Sequence, residues 1–230
     1  MNISTKARHP RLRILGSVLA LAAIAVAMTG NVVKVQGGSG SDAYRIEEDW
    51  ELVVSDADPV LNAPQVTCTI SPADMGTAYC AFDLNYHTQP DYVAGGLQVH
   101  TWDPTDPIEY SDSTHTQVMS SASETVTWTQ TMTLDPNSST ITFQVINGQS
   151  QSWGSFGGNK AGNHGHLILT MNTNLPNLNA YDCNVSLDNS GVSFASNLVV
   201  SQTLVAVRYY DVNGNLIKQI TTPQIVHPQQ

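Results

Sequence analysis

The chain has 230 residues, with nine basic and nineteen acidic side chains and a formal charge of −10, enough for one sizeable core. An acidic surface repels phosphate backbones and anionic head groups, which excludes nucleic acid as a partner and leaves membrane contact only to the N-terminal segment. The three cysteines, Cys68, Cys80 and Cys183, form no CxxC pair, so the common zinc frameworks are excluded as well.

In chain order, Lys6, Arg8, Arg11 and Arg13 precede an apolar run from Ile14 to Met28, and no acid occurs before Asp42. Basic, then apolar, then small residues is the layout of a secretory signal, and Ala25-Val26-Ala27 fits cleavage after Ala27. The alternative is an uncleaved signal anchor extending to about residue 33, since the apolar run alone is shorter than the roughly 20 residues of a spanning helix. Either route exports the chain, to a periplasm, a cell surface or the medium. Residues 28–43 read as a flexible linker ending in KVQGGSGSDA. Residues 44–226 form the domain and 227–230 a tail.

From Tyr44 onward the periodicity is that of strands, punctuated by turn residues. The first has Glu47, Asp49 and Glu51 on one face, and reads as the acidic, solvent-facing start of an edge strand. Strands are predicted at 50–54, 66–70, 78–86 and 95–102. Folding the chain at SPADMG sets Cys68 opposite Cys80, both inward, and predicts a disulfide between them. A Cys80–Cys183 bridge or three buried thiols are the alternatives.

In the fourth of these strands Gln98, His100 and Trp102 share a face. An aromatic ring flanked by amide and imidazole groups suits carbohydrate, and Tyr110, Trp153 and Phe156 extend the set. The other reading makes these residues a cover on the edge of the core. The loop WDPTDPIEYSD follows, with Asp103, Asp106, Glu109 and Asp112 as candidate calcium ligands. A solvated acidic turn is its plainer reading. No other cofactor is expected.

ETVTWTQTMTLDPNSSTITFQVING is the clearest hairpin: apolar Val126, Trp128, Met132, Leu134, Ile141, Phe143 and Val145 alternate with threonines. SWGSFGGNKAGNHGH then reads as a glycine-rich loop carrying Trp153 and Phe156. His164 and His166 lie on the outer face of a strand at 166–171 and lack an acidic or cysteine partner in sequence. A strand at 192–201 precedes a last hairpin turning at Asn213-Gly214, which pairs Val207 with Ile220 and Tyr209 with Lys218. The whole is all-β, a single antiparallel β-sandwich (jelly roll) behind an N-terminal signal or anchor.

The Thr-rich strand pair with its core Trp, leading into SWGSFGG and another apolar strand, resembles secreted bacterial jelly-roll proteins. It is similar to the concanavalin-like and laminin-G-like sandwiches. That resemblance implies carbohydrate or calcium bound at the sandwich surface. One glycosidase family on this fold carries an E-x-D-x-E strand. By position, the resemblance implies Glu47 as nucleophile, Asp49 as electrostatic tuner and Glu51 as acid/base. The charged Glu48 between them departs from that family's apolar spacing. The sequence has no GxSxG elbow, P-loop or dinucleotide fingerprint. The expectation is therefore a non-catalytic exported sandwich that binds carbohydrate or cell-surface components. A glycoside hydrolase and a purely structural envelope component are the alternatives.

Overall fold

The computed structural model describes residues 32–33, 41–55, 64–85, 87–88, 93–94, 96–104, 109–112, 119, 121–158 and 166–228. The strands are β1 (Val32–Val33), β2 (Arg45–Val54), β3 (Gln65–Ile70), β4 (Tyr79–Leu84), β5 (His87–Thr88), β6 (Val93–Ala94), β7 (Leu97–Trp102) and β8 (Glu109–Asp112). They continue with β9 (Glu124–Asp135), β10 (Thr140–Ser150), β11 (Gly154–Phe156), β12 (Ile168–Asn172), β13 (Gly191–Phe194), β14 (Val199–Tyr210), β15 (Leu216–Ile220) and β16 (Gln224–His227). One short helix, α1 (Cys183–Asp188), is capped by Asp182. Among the described residues no helix is long and apolar enough to cross a membrane. The predicted leader and most of the linker lie outside them, whereas Val32 and Val33, at the end of the anchor alternative, form β1 against β15.

Two antiparallel sheets face each other. The larger has the order β1-β15-β14-β2-β9-β10-β11, with β16 also on β14 and β12 also on β10. The smaller has the order β13-β3-β4-β7-β8, and β5 pairs β6 separately. Alternation decides which side chains fill the space between the sheets. Ile46, Trp50, Leu52, Val126, Trp128 and Met132 enter from the large sheet, and Val66, Ile70, Phe82, Leu84 and Val99 from the small one. Trp50 and Trp128, cross-strand partners, stack at 6.3 Å, and Phe82 meets Trp128 edge-on at 5.4 Å across the two layers. Burial of such side chains contributes roughly 1.5–3 kcal/mol each.

Cys68 and Cys80 are both buried free thiols, which corrects the predicted disulfide. The turn between β3 and β4 closes on the Asp74 carbonyl, which accepts from the Thr77 amide and hydroxyl and from Ser71. It centres later than SPADMG. Cys68 therefore stands opposite Phe82, and Cys80 opposite Ile70. Diagonal neighbours in an antiparallel pair are about 7–8 Å apart, outside the reach of a disulfide. Cys183, in α1, is half-buried and also free.

The glycine-rich stretch is likewise corrected. Its residues 154–156 form β11, pairing back onto β10, and Trp153 and Phe156 are only 4% and 5% exposed, while 159–165 lie outside the described residues. Phe156 stacks on Phe82 at 6.1 Å, so both aromatics belong to the core. A Cβ at Gly148 would meet the Phe156 ring at 2.1 Å. One at Gly157, where φ is +95°, would meet the Val145 carbonyl at 2.5 Å. Close approach of backbone to ring and backbone to backbone explains the glycines there.

Candidate carboxylate site and its surroundings

β2 is not an edge strand. It lies at the centre of the large sheet between β14 and β9, paired along its whole length with β9 without a register shift. Its two faces carry different chemistry. Glu47, Asp49 and Glu51 point outward, away from the core, beside Thr131, Thr129 and Thr127 of β9. Arg208 and Thr203 of β14 stand opposite Glu47 and Glu51 on the other side.

Arg208 organises this face. Its Nη1 and Nη2 donate to the two oxygens of Asp49 at 2.5 and 2.7 Å, and its Nε donates to Glu47 Oε2 at 2.9 Å. The Thr129 hydroxyl donates to Asp49 Oδ1 at 2.9 Å, the Tyr210 hydroxyl to Glu47 Oε2 at 2.8 Å, and Arg45 pairs with Glu47 Oε1. Hydrogen bonds to Asp49, and then to Glu47, raise the Arg208 pKa against the opposing effect of burial. A bidentate guanidinium–carboxylate fork fixes Asp49 in orientation as well as charge. The Glu47 side chain is 9% exposed and that of Asp49 is 29% exposed. Glu51 is half-buried, one step beyond the Arg208 fork.

An unbulged strand advances about 3.3 Å per residue, so Glu47 and Glu51 are separated by about 13 Å of strand. That exceeds the roughly 5–5.5 Å between the carboxyl groups of a retaining glycosidase. Asp49 and Glu51, two residues apart on one face, are separated by about 7 Å of strand.

Glu48, read from sequence only as an interruption of the motif, faces the opposite way and is completely buried. Its Oε1 accepts from the Tyr181 hydroxyl at 2.5 Å and the Ser186 hydroxyl at 2.6 Å, and its Oε2 accepts from Trp50 Nε1 at 3.0 Å. Burial pushes its pKa up to about 7, although the three hydrogen bonds pull the other way. The same contacts tie α1 to β2. Glu48 therefore serves as an anchor inside the core and has no access to a substrate. Its position was legible, because alternation groups it with Ile46, Trp50 and Leu52.

On the outer face of the small sheet, the predicted carbohydrate residues separate. His100 and Trp102 are partly exposed, whereas Gln98 is 6% exposed. His100 Nδ1 lies 2.9 Å from Asp83 Oδ2, and the Thr67 hydroxyl donates to Asp83 Oδ1 at 2.6 Å. Trp102 stacks on Tyr79 of the neighbouring strand at 5.6 Å, a partner that sequence reasoning missed. Tyr110 lies opposite His100 in the β7–β8 register.

Of the predicted calcium ligands, Asp103 follows β7, while Glu109 and Asp112 bound β8. Asp106 lies outside the described residues, as do the side chains of Glu109 and Asp112. His166 is exposed just before β12, and His164 lies outside the described residues. Among the described residues no three His, Cys, Asp or Glu side chains converge as a metal site.

A cleft of about 580 Å³ opens at one end of the sandwich, lined by the β3–β4 turn, the segment after β7, the β9–β10 turn and the end of β12.

No family model matches the chain, and no curated protein does. Among solved structures it is similar to one described as "Crystal structure of Scytalido-glutamic peptidase with a peptide based transition state analog". The similarity is 14% identity at a TM-score of 0.33, over 80% of this chain and 83% of that one. At that distance it transfers no residue, substrate or mechanism. The β-sandwich stands on its own strand pairing, and no comparison narrows it to the concanavalin-like or laminin-G-like kind. The expectation of a non-catalytic sandwich is corrected from the placement of the β2 carboxylates. That expectation stood on the export segment, the all-β pattern and the lack of a catalytic set; the cluster it set aside as the start of an edge strand lies on a central strand, with Glu47 and Asp49 held by hydrogen bonds.

Proposed function

We propose that the chain is a hydrolase that uses outward-facing carboxylates of β2, with glycosides as the substrate class. The observation that carries the reading is the pair Asp49 and Glu51 on one face of a central strand, the first locked by the Arg208 fork and Thr129. Glu51 protonates the glycosidic oxygen as the bond to the sugar carbon breaks. Water adds to that carbon and gives its proton to Asp49, leaving a hemiacetal and an alcohol. A separation of about 7 Å leaves room for the water, the arrangement of an inverting enzyme. The surrounding face offers hydroxyls and amides, from Thr127, Thr203, Gln144 and Gln219, which suit a neutral, polyhydroxylated substrate. The basic and then apolar N-terminus supports an exported enzyme.

The test is hydrolysis of a panel of aryl glycosides and polysaccharides by the wild type, Asp49→Asn and Glu51→Gln, with folding checked by circular dichroism. Folded Glu51→Gln should lose at least about a hundredfold in rate, as expected on removal of a general acid. It should recover on substrates whose leaving group needs no proton, whereas Asp49→Asn should not. No turnover by the wild type, or equal turnover by the variants, would reduce the network to a clamp between strands.

A further inference from the structure

Both irregularities in the pairing of β14 with β2 present a valine. The register shifts between Val199 and Ser201 and again between Leu204 and Ala206, so Val200 and Val205 are the extra residues of two bulges. They are 54% and 37% exposed, whereas Val199, Leu204 and Ala206 beside them are buried. A bulge takes one side chain out of the strand's alternation and re-aims it. The two bulges bracket Thr203, which stands opposite Glu51 on one side and opposite Ile225 of β16 on the other. Ile225 is 52% exposed. Val53, two residues past Glu51 on the same face of β2, is half-buried between the fully inward Leu52 and Val54. Of the five large apolar side chains that stand exposed among the described residues, three therefore gather around one carboxylate.

The other end of the same face is polar. The row through Glu47 runs Gln219, Arg208, Glu47, Thr131, Gln144 across five strands. Along β2 the surface thus passes from amides and guanidinium, through Asp49 and Glu51, to Val53 and the bulge valines. In a single displacement the water and the departing oxygen lie on opposite sides of the sugar carbon. With the water at Asp49 and the departing oxygen at Glu51, the leaving group extends from Glu51 away from Asp49. That direction carries it onto the apolar strip. Strand spacing and rise put Val53 and Ile225 within roughly 10 Å of Glu51.

We propose that Val53, Val200, Val205 and Ile225 form the leaving-group subsite, and that the substrates are glycosides of apolar alcohols. The inference rests on the hydrolase reading and narrows it from glycosides at large to those with an alkyl or aryl aglycone. A second sugar in this place would set its hydroxyls against branched aliphatic side chains and lose hydrogen bonds to water. An alkyl or aryl group gains from the same surface. Such contacts are made equally in the ground state and the transition state, so they act on KM and leave kcat alone.

The experiment is steady-state kinetics on n-alkyl glycosides, ethyl to octyl, of the sugars that the wild type turns over. These alcohols are of nearly equal acidity, so chain length changes binding and leaves the chemical step unaltered. In the wild type kcat/KM should rise on the order of tenfold or more from ethyl to octyl, through KM. Ile225→Ser and Val53→Ser should flatten the rise, and Ile225→Leu should keep it. A substitution that merely weakens the fold lowers every chain length alike and preserves the slope. Val212→Ser, exposed in the turn after β14 and away from the strip, should preserve it too. Equal kcat/KM at every chain length would overturn the subsite and leave the hydrolase standing. So would turnover of polysaccharides with none of alkyl glycosides, or an unchanged slope in both serine variants. No turnover of any glycoside would overturn both readings.

Discussion

Glu48 is the residue whose environment departs furthest from its chemistry. A carboxyl in the core, bonded by Tyr181, Ser186 and Trp50, has its pKa raised from 4.5 to about 7. Between those pH values the folded chain holds a proton that the unfolded chain has released, so stability falls as pH rises through that window. Its contribution is fullest below about pH 4.5 and is spent above about pH 7, a change on the order of 3 kcal/mol. Urea midpoints measured at pH 4.5 and pH 7.5 should decline across the window in the wild type. In Glu48→Gln, which cannot ionise, the decline should shrink; an identical pH profile in the two proteins would contradict it. The sequence exposed the position of this residue through alternation. It concealed the partners, because Tyr181 and Ser186 are 133 and 138 residues away.

Elements were legible where local chemistry determines them. The hairpin at Asn213-Gly214 pairs Val207 with Ile220 and Tyr209 with Lys218 as predicted. Its turn is wider than two residues: Asp211 accepts from the amides of Asn213 and Asn215, and the register shifts between Tyr209 and Tyr210. The predicted strand at 192–201 divides into β13, a single 3-10 turn and β14, because Ala195 adopts a left-handed conformation with φ +50°. The helix α1 went unread, since six residues give too little periodicity to register. The start of the glycine-rich stretch, 154–156, makes a strand for a reason found only in three dimensions, the Phe156 ring lying against Gly148. Gly148→Ala should therefore cost about 2 kcal/mol or more. Gly191→Ala, with open space around it and no positive φ, should stay within about 0.5 kcal/mol. Thermal unfolding of the two variants checks the contrast, and equal melting temperatures would refute it.

At the scale of the molecule, the sandwich follows from the threonine–apolar alternation, whereas the candidate site does not. The carboxylates are three neighbours in sequence, yet the arginine that orders Asp49 is 159 residues on and arrives through β14. Which strand becomes central is a property of long-range pairing, and composition near a linker suggested an edge. The cysteines give a measurement of the whole fold. Cys68 and Cys80 are fully buried with their thiol pKa raised chiefly by burial, and Cys183 is half-buried. Without reductant, a thiol reagent should modify at most Cys183 quickly in the native protein, and all three cysteines in denaturant. A denatured count of one would show a disulfide that this register forbids.

The two longest outer strands of the large sheet share an arrangement with a further consequence. β14 gives its free edge to β15 over 207–210 and to β16 over 202–204. β10 gives its free edge to β12 over 140–144 and to β11 over 148–150. Neither long strand is left as an open row of amides and carbonyls, and the strands that finish each side, β1 beyond β15 included, are only two to five residues long. Short, interrupted borders offer a poor template for a strand from another molecule. A threonine-rich sheet of this length, which would otherwise invite growth into fibrils, is closed to it by two pairs of short strands.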